Sequence, residues 1–134
     1  GQRHIFPGVV NGLQKLRAEG ITLHLLTFGL PKYQQGKWIG LQALHPYFDQ
    51  TYFVHQGDSK GQILARETSS DQQIFFIDDS PAWLLDSLNF APWVQRIRLM
   101  WPQCQQNAHP ADNKLWPTAK DFKEVLMLID WKSN

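Results

Sequence analysis

Two adjacent acids follow an apolar run in the middle of the chain. Residues 74–77 are all apolar, and Asp78 and Asp79 come directly after them. Such a run is typical of a strand buried on both faces of a parallel sheet, and α/β sheets bind ligands beyond the carboxyl ends of their strands. Neighbouring carboxylates repel each other, and Mg²⁺ would relieve that repulsion, so the pair is a candidate metal site. The structural alternative is that both acids cap a helix and face water.

Two further side chains have a type and position that suit phosphate chemistry. Thr27 ends an apolar stretch, and Lys60 stands where a helix begins. The Thr27 hydroxyl and the backbone N–H groups of Phe28 and Gly29 would hold phosphate oxygens, and Lys60 would offset the negative charge. The carboxylate pair would hold the metal ion. The structural alternatives are an ordinary strand-end threonine and a solvated lysine.

Strand-like and helix-like segments alternate along the chain and must position these side chains. We predict strands over 21–27, 48–54, 74–78 and 94–100, and helices over 7–18, 31–44, 59–66, 81–88 and from a Thr118 cap onward. This alternation favours a three-layer α/β fold with a mainly parallel sheet. Right-handed crossovers place every strand's carboxyl end on one edge, so we expect Thr27, Lys60 and Asp78 to meet there. Residues 101–116 are expected to be irregular.

Composition narrows the possible partners. The chain has 134 residues, enough for one domain with a core, and its net charge of +1 leaves no basic stripe for nucleic acid. No apolar run approaches the roughly 20 residues that span a bilayer, so no membrane partner is expected. Cys104 is the only cysteine, which excludes an intramolecular disulfide and favours a cytoplasmic location.

In their order and spacing, these motifs resemble those of the haloacid dehalogenase superfamily of Mg²⁺-dependent phosphohydrolases. The resemblance runs roughly from residue 6 to residue 130, with the family's second, third and fourth motifs at 25–27, 60–61 and 77–80. It implies a Rossmann-like fold and a phosphorylated small molecule as substrate. It also implies catalytic roles for Thr27 and Lys60, and Mg²⁺ bound by Asp78 and Asp79.

The family's first motif, Asp-x-Asp-x-Thr at the end of a strand, is not evident in this chain. Its first Asp is the nucleophile, so we expect residues 1–134 to be a single core domain that lacks this motif and any cap, and a fragment that is inactive alone. The resemblance places the absent strand between those ending at Thr27 and Asp79. Each buried backbone group left unpaired there would cost about 1–3 kcal/mol. We therefore expect an upstream segment, direct closure of the flanking strands, or a strand from another chain through self-association.

Three alternatives remain beside this interpretation. Residues 125–130 could be a permuted first motif with Asp130 as nucleophile, although the apolar spacing from Phe122 to Ile129 favours a helix. The chain could instead be a catalytically dead relative that serves as a protein-interaction module. A phospho-receiver domain also combines an acid pair, a hydroxyl and a lysine, but in a different order along the chain.

Asp86 is interpreted as a solvated residue on a helix face.

Overall fold

The computed structural model describes residues 9–28, 45–100 and 107–133. The chain divides into two compact units, residues 1–58 and 59–134, and each has its own parallel sheet. The described residues contain four α-helices and five strands, so the mixed α/β class is confirmed. The predicted helix over 31–44 and the candidate phosphate-binding residue Gly29 lie outside the described residues. The single-domain organisation stays a prediction.

The N-terminal unit is a helix followed by two parallel strands. Its elements are α1 (Val9–Ala18), β1 (His24–Phe28), a short 3₁₀ helix (His45–Tyr47) and β2 (Gln50–Val54). Gly20 ends α1 in the left-handed conformation, at φ +83°, and the N–H of Ile21 bonds back to the carbonyl of Leu16. This arrangement satisfies carbonyls at the helix end and favours glycine. β1 and β2 pair in parallel, with Thr27 opposite Phe53.

The C-terminal unit contains the remaining elements around a three-stranded sheet. They are α2 (Lys60–Glu67), β3 (Phe75–Asp78), α3 (Pro81–Phe90), β4 (Gln95–Leu99), β5 (Thr118–Ala119) and α4 (Phe122–Ser133). The strand order is β3-β4-β5, all parallel, with Asp78 opposite Arg98 in the β3–β4 register. α3 is the helical crossover between the parallel strands β3 and β4, the kind of connection that the alternating sequence predicts.

The core of the C-terminal unit is built from helices packed against this sheet. One cluster joins α2, β3, α3 and the segment before β5: Leu64, Phe76, Leu84, Ala91, Val94, Ala111 and Trp116. α4 contacts β4 and β5 and buries Phe122, Val125 and Ile129. Burying one such large apolar side chain contributes about 1.5–3 kcal/mol to the free energy of folding. These contacts therefore stabilise the packing of the helices against the sheet.

The prediction that Thr118 caps the last helix is wrong. Thr118 lies in β5, because the carbonyls of Pro117 and Ala119 accept hydrogen bonds from the N–H groups of Arg98 and Met100, at 2.9 and 2.7 Å. These bonds keep Thr118 and Ala119 in a strand, so the helix begins only at Phe122. The cap is Asp121, whose Oδ1 accepts the N–H of Glu124 at 2.8 Å.

The permuted-motif interpretation is also wrong. Residues 125–130 lie within α4, so Asp130 does not stand at the end of a strand. The apolar residues of this run recur at helical spacing and bury one face of α4, which decides in favour of a helix.

Among the described residues, no helix has the length and apolar character to cross a membrane.

Candidate functional site

The carboxylate of Asp78 is fixed by the connection between β3 and α3. Asp78 is the last residue of β3 and is buried. Its Oδ1 accepts the N–H of Ser80 at 2.8 Å, and the Ser80 hydroxyl in turn caps α3 by accepting the N–H of Trp83. Pro81 occupies the first helical turn, where its missing N–H is not needed. The local sequence thus turns the chain from strand to helix and holds the carboxylate at the sheet edge.

Lys60 lies against this carboxylate. It is the first residue of α2, which Ser59 caps by accepting the N–H of Gln62 at 3.0 Å. The Lys60 Nζ donates to Asp78 Oδ2 at 2.7 Å, and the two side chains are only 11% and 7% exposed. The same ammonium lies 5.7 Å from the centre of the Trp83 ring, a cation–π distance. The structure therefore brings two predicted site residues, Lys60 and Asp78, into a buried ion pair.

The second acid of the pair has a different electrostatic environment. Asp79 is partly buried; its burial, followed by the charge of Asp78, raises the pKa of its carboxyl above the ordinary value, although Lys60 opposes the shift. Ionising Asp79 therefore adds a second negative charge at a site where one carboxylate is already present. A bound cation would favour the ionised form of Asp79.

The donor set at this edge fits Mg²⁺. Asp78 and Asp79 offer carboxylate oxygens, and Mg²⁺ is commonly bound by one or two carboxylates while it keeps several waters. Within the three described ranges, no group of three or more His, Cys, Asp or Glu side chains could hold a metal ion. The two acids would therefore hold a largely hydrated ion.

Thr27 belongs to the N-terminal unit, whereas Lys60, Asp78 and Asp79 belong to the C-terminal unit. Thr27 is buried near the end of β1, which Phe28 completes. Its hydroxyl stands where the second motif was predicted, at the carboxyl end of a parallel strand. The grouping of Thr27 with Lys60 and Asp78 stays a prediction.

Sequence analysis missed the contacts of Asp86, which is not simply a solvated residue on α3. Its Oδ2 accepts hydrogen bonds from the hydroxyl of Ser59 and from the N–H of Gly61, the latter at 2.8 Å. These two residues stand on either side of Lys60. The signal that was available is Gly61 itself, because a glycine within a helix is unfavourable unless a close approach requires it.

Sequence analysis also missed a buried ion pair in the same unit. Arg98 is fully buried on β4; its Nη1 contacts Asp112 Oδ2 at 2.5 Å, and its Nη2 donates to the carbonyl of Asn107. Asp112 also accepts the N–H of His109 and the indole N–H of Trp116. Burial opposes ionisation, but these donors and the guanidinium together lower the pKa of Asp112. The pair anchors the segment before β5.

The chain matches no protein-family model and no curated protein. A functional assignment therefore depends on the geometry of the site and on the order of its motifs. Of that geometry, the contact between Lys60 and Asp78 is the most specific feature.

Proposed function

We propose that this chain is the metal- and phosphate-binding part of a haloacid dehalogenase-like, Mg²⁺-dependent phosphohydrolase with a Rossmann-like, three-layer fold. The observation that supports this most is the 2.7 Å contact between Lys60 Nζ and Asp78 Oδ2 at the carboxyl end of a parallel strand, with Asp79 next in sequence. An amine and two acids at such an edge suit a phosphoryl group and its cation.

Each side chain has a distinct role in this proposal. Asp78 and Asp79 hold the ion, and the N–H of Ser80 orients the Asp78 carboxylate. Lys60 neutralises negative charge on the phosphoryl group and on the attacking carboxylate. Thr27, with the N–H groups of Phe28 and Gly29, holds phosphoryl oxygens. Bound Mg²⁺ would supply a Lewis acid that stabilises charge on those oxygens.

The attacking carboxylate is not supplied by these 134 residues, which contain no Asp-x-Asp-x-Thr sequence. We therefore expect this chain to bind Mg²⁺ and phosphate without turnover. In the active molecule, a segment carrying the nucleophile would complete the sheet beside Asp78. The substrate is a phosphorylated small molecule, and the site offers nothing specific to nucleic acid.

The test is a Mg²⁺ titration of the pure chain, followed through the backbone amide signals of Asp79 and Ser80. We expect both signals to shift at millimolar Mg²⁺ and the shift to be lost in Asp78→Asn and Asp79→Asn. Asp71→Asn is the matched control, because Asp71 is exposed and precedes β3. Lower pH should weaken binding, since ligand carboxylates must be ionised.

Two results would contradict the proposal. If Mg²⁺ leaves these amides unchanged, or if the shift survives both substitutions, the acids are not a metal site and the interaction-module interpretation is favoured. If the pure chain hydrolyses a generic phosphomonoester in a Mg²⁺-dependent way, the assignment of the nucleophile to another segment is wrong.

A further inference from the structure

We propose that Asp86 is a positioning residue that holds Lys60 against Asp78. One oxygen of the Asp86 carboxylate accepts hydrogen bonds from the Ser59 hydroxyl and from the N–H of Gly61. These donors belong to the residues directly before and after Lys60, so one side chain of α3 fixes the backbone on both sides of the lysine. The inference rests on the proposed function, because positioning matters only where Lys60 acts on a ligand.

Gly61 makes this contact possible. A Cβ at this position would lie 2.5 Å from the backbone carbonyl oxygen of Asp86 and 2.8 Å from its side-chain Oδ2. Any side chain at residue 61 would therefore push α2 away from α3 and separate the N–H group from the carboxylate. The first turn of α2 is set by direct contact with the backbone of α3, which leaves it little freedom to shift.

Asp86 and Asp78 belong to one continuous strand–turn–helix segment. The N–H of Ser80 bonds to Asp78 Oδ1 at 2.8 Å, and α3 begins one residue later. Lys60 comes from a different helix, so its approach to Asp78 depends on how α2 is attached to this segment. α2 has no acid in its own first turn, and Asp86 supplies the negative charge that a helix N-terminus favours.

The test is the rate at which Lys60 is modified by reductive methylation in the full chain, read by mass spectrometry. In Asp86→Ala, which removes both hydrogen bonds, we expect Lys60 to react at least about tenfold faster, since a single hydrogen bond to a charged group already corresponds to about that factor. Lys114 and Lys123 are exposed and serve as internal references whose rates should not change. Asp86→Asn keeps an acceptor oxygen and should restore protection to within about twofold.

Two further variants separate positioning from general stability. Ala82→Gly weakens α3 at an exposed site and should leave the Lys60 rate unchanged. Ser59→Gly removes one of the two hydrogen bonds at a cap position where glycine is well tolerated. It should accelerate Lys60 to an intermediate degree, which keeps the test valid if Asp86→Ala does not fold. A wild-type Lys60 rate in Asp86→Ala or Ser59→Gly would overturn the proposal, as would equal acceleration in Ala82→Gly.

The labelling experiment and the Mg²⁺ titration can fail independently. Methylation of Lys60 requires neither Mg²⁺ nor phosphate, so it reports on the link between Asp86 and Lys60 alone. Loss of the Mg²⁺ response with intact Asp86-dependent protection would refute the proposed function. If Lys60 is methylated equally slowly with and without Asp86 while Mg²⁺ binding is retained, only the positioning role is refuted.

Discussion

Replacing Gly61 by alanine has two opposing effects on stability: it improves helix propensity, and it creates a steric clash where α2 and α3 are in close contact. Alanine is favoured over glycine in helices by up to about 1 kcal/mol, the value for a helix interior, so propensity alone predicts a more stable protein. The new Cβ, however, would stand 2.5 Å from the carbonyl oxygen of Asp86 and 2.8 Å from the carbonyl carbon. Both are backbone atoms, which cannot move aside as the end of a flexible side chain can.

The unfavourable effects of Gly61→Ala are the larger ones. Overpacking a tight contact costs about 1–3 kcal/mol. Moving the residue 61 N–H away from the Asp86 carboxylate sacrifices a hydrogen bond to a charged group, which contributes about 1.5–3 kcal/mol. After the propensity gain is subtracted, we expect the free energy of unfolding to fall by about 1.5–5 kcal/mol.

Urea unfolding of the wild type and of Gly61→Ala, followed by tryptophan fluorescence, measures this difference. Trp83, Trp93 and Trp116 report on the C-terminal unit. Gln62→Ala is the matched control, since it improves propensity at the exposed neighbouring position without a clash, and it should change stability by no more than about 0.5 kcal/mol. If Gly61→Ala is as stable as the wild type or more stable, the two helices are not in backbone contact and the reasoning is refuted.

Three further predictions concern other parts of the C-terminal unit. Because the pKa of Asp79 is raised in the folded state, its ionisation lowers the free energy of unfolding as the pH rises above the ordinary value of 3.8. Asp79→Asn should therefore be more stable than the wild type at neutral pH but not below pH 3.8. An equal difference in stability in acid and neutral unfolding titrations would contradict this. Arg98→Met should cost about 3–5 kcal/mol because it leaves a buried carboxylate unpaired. A double-mutant cycle with Asp112→Asn should give a combined loss smaller than the sum, and additive losses would disprove the coupling. Asp121→Ala should lower stability by about 1 kcal/mol through loss of the α4 cap, whereas Thr118→Ala should cost less; the reverse order in urea unfolding would show that the cap is misassigned.

Local sequence signals were sufficient for the elements that carry the candidate site. Asp58 or Ser59 is predicted to cap α2, and the structure has Ser59 as the cap. Ser80 with Pro81 predicts the start of α3. The apolar run before Asp78 predicts β3, and each of these signals acts within a few residues. The contact between Lys60 and Asp78 joins the start of α2 to the end of β3, two positions that these local signals predict.

The features that sequence analysis missed depend on partners far away in the chain. Thr118 has the residue type of a helix cap, but hydrogen bonds from β4 hold it in a strand. Arg98 alternates with apolar residues along β4, which is typical of an exposed face, yet the segment at 107–116 buries it completely. Asp86 was interpreted as solvated because the groups that donate to its carboxylate lie at the start of α2, some 25 residues earlier in the chain. Periodicity records which residues share a face and does not record what packs against it.

The shortness of β5 has a consequence for the way this unit opens. Only Thr118 and Ala119 form the strand, and the preceding segment is tied to β4 through the guanidinium of Arg98. Two backbone hydrogen bonds and this ion pair hold the β5 segment to β4, and α4 packs on the same two strands, so residues 107–133 should detach from the sheet together. Native-state hydrogen exchange would register this as a single subglobal opening, with a common protection factor for the amides of β5 and α4.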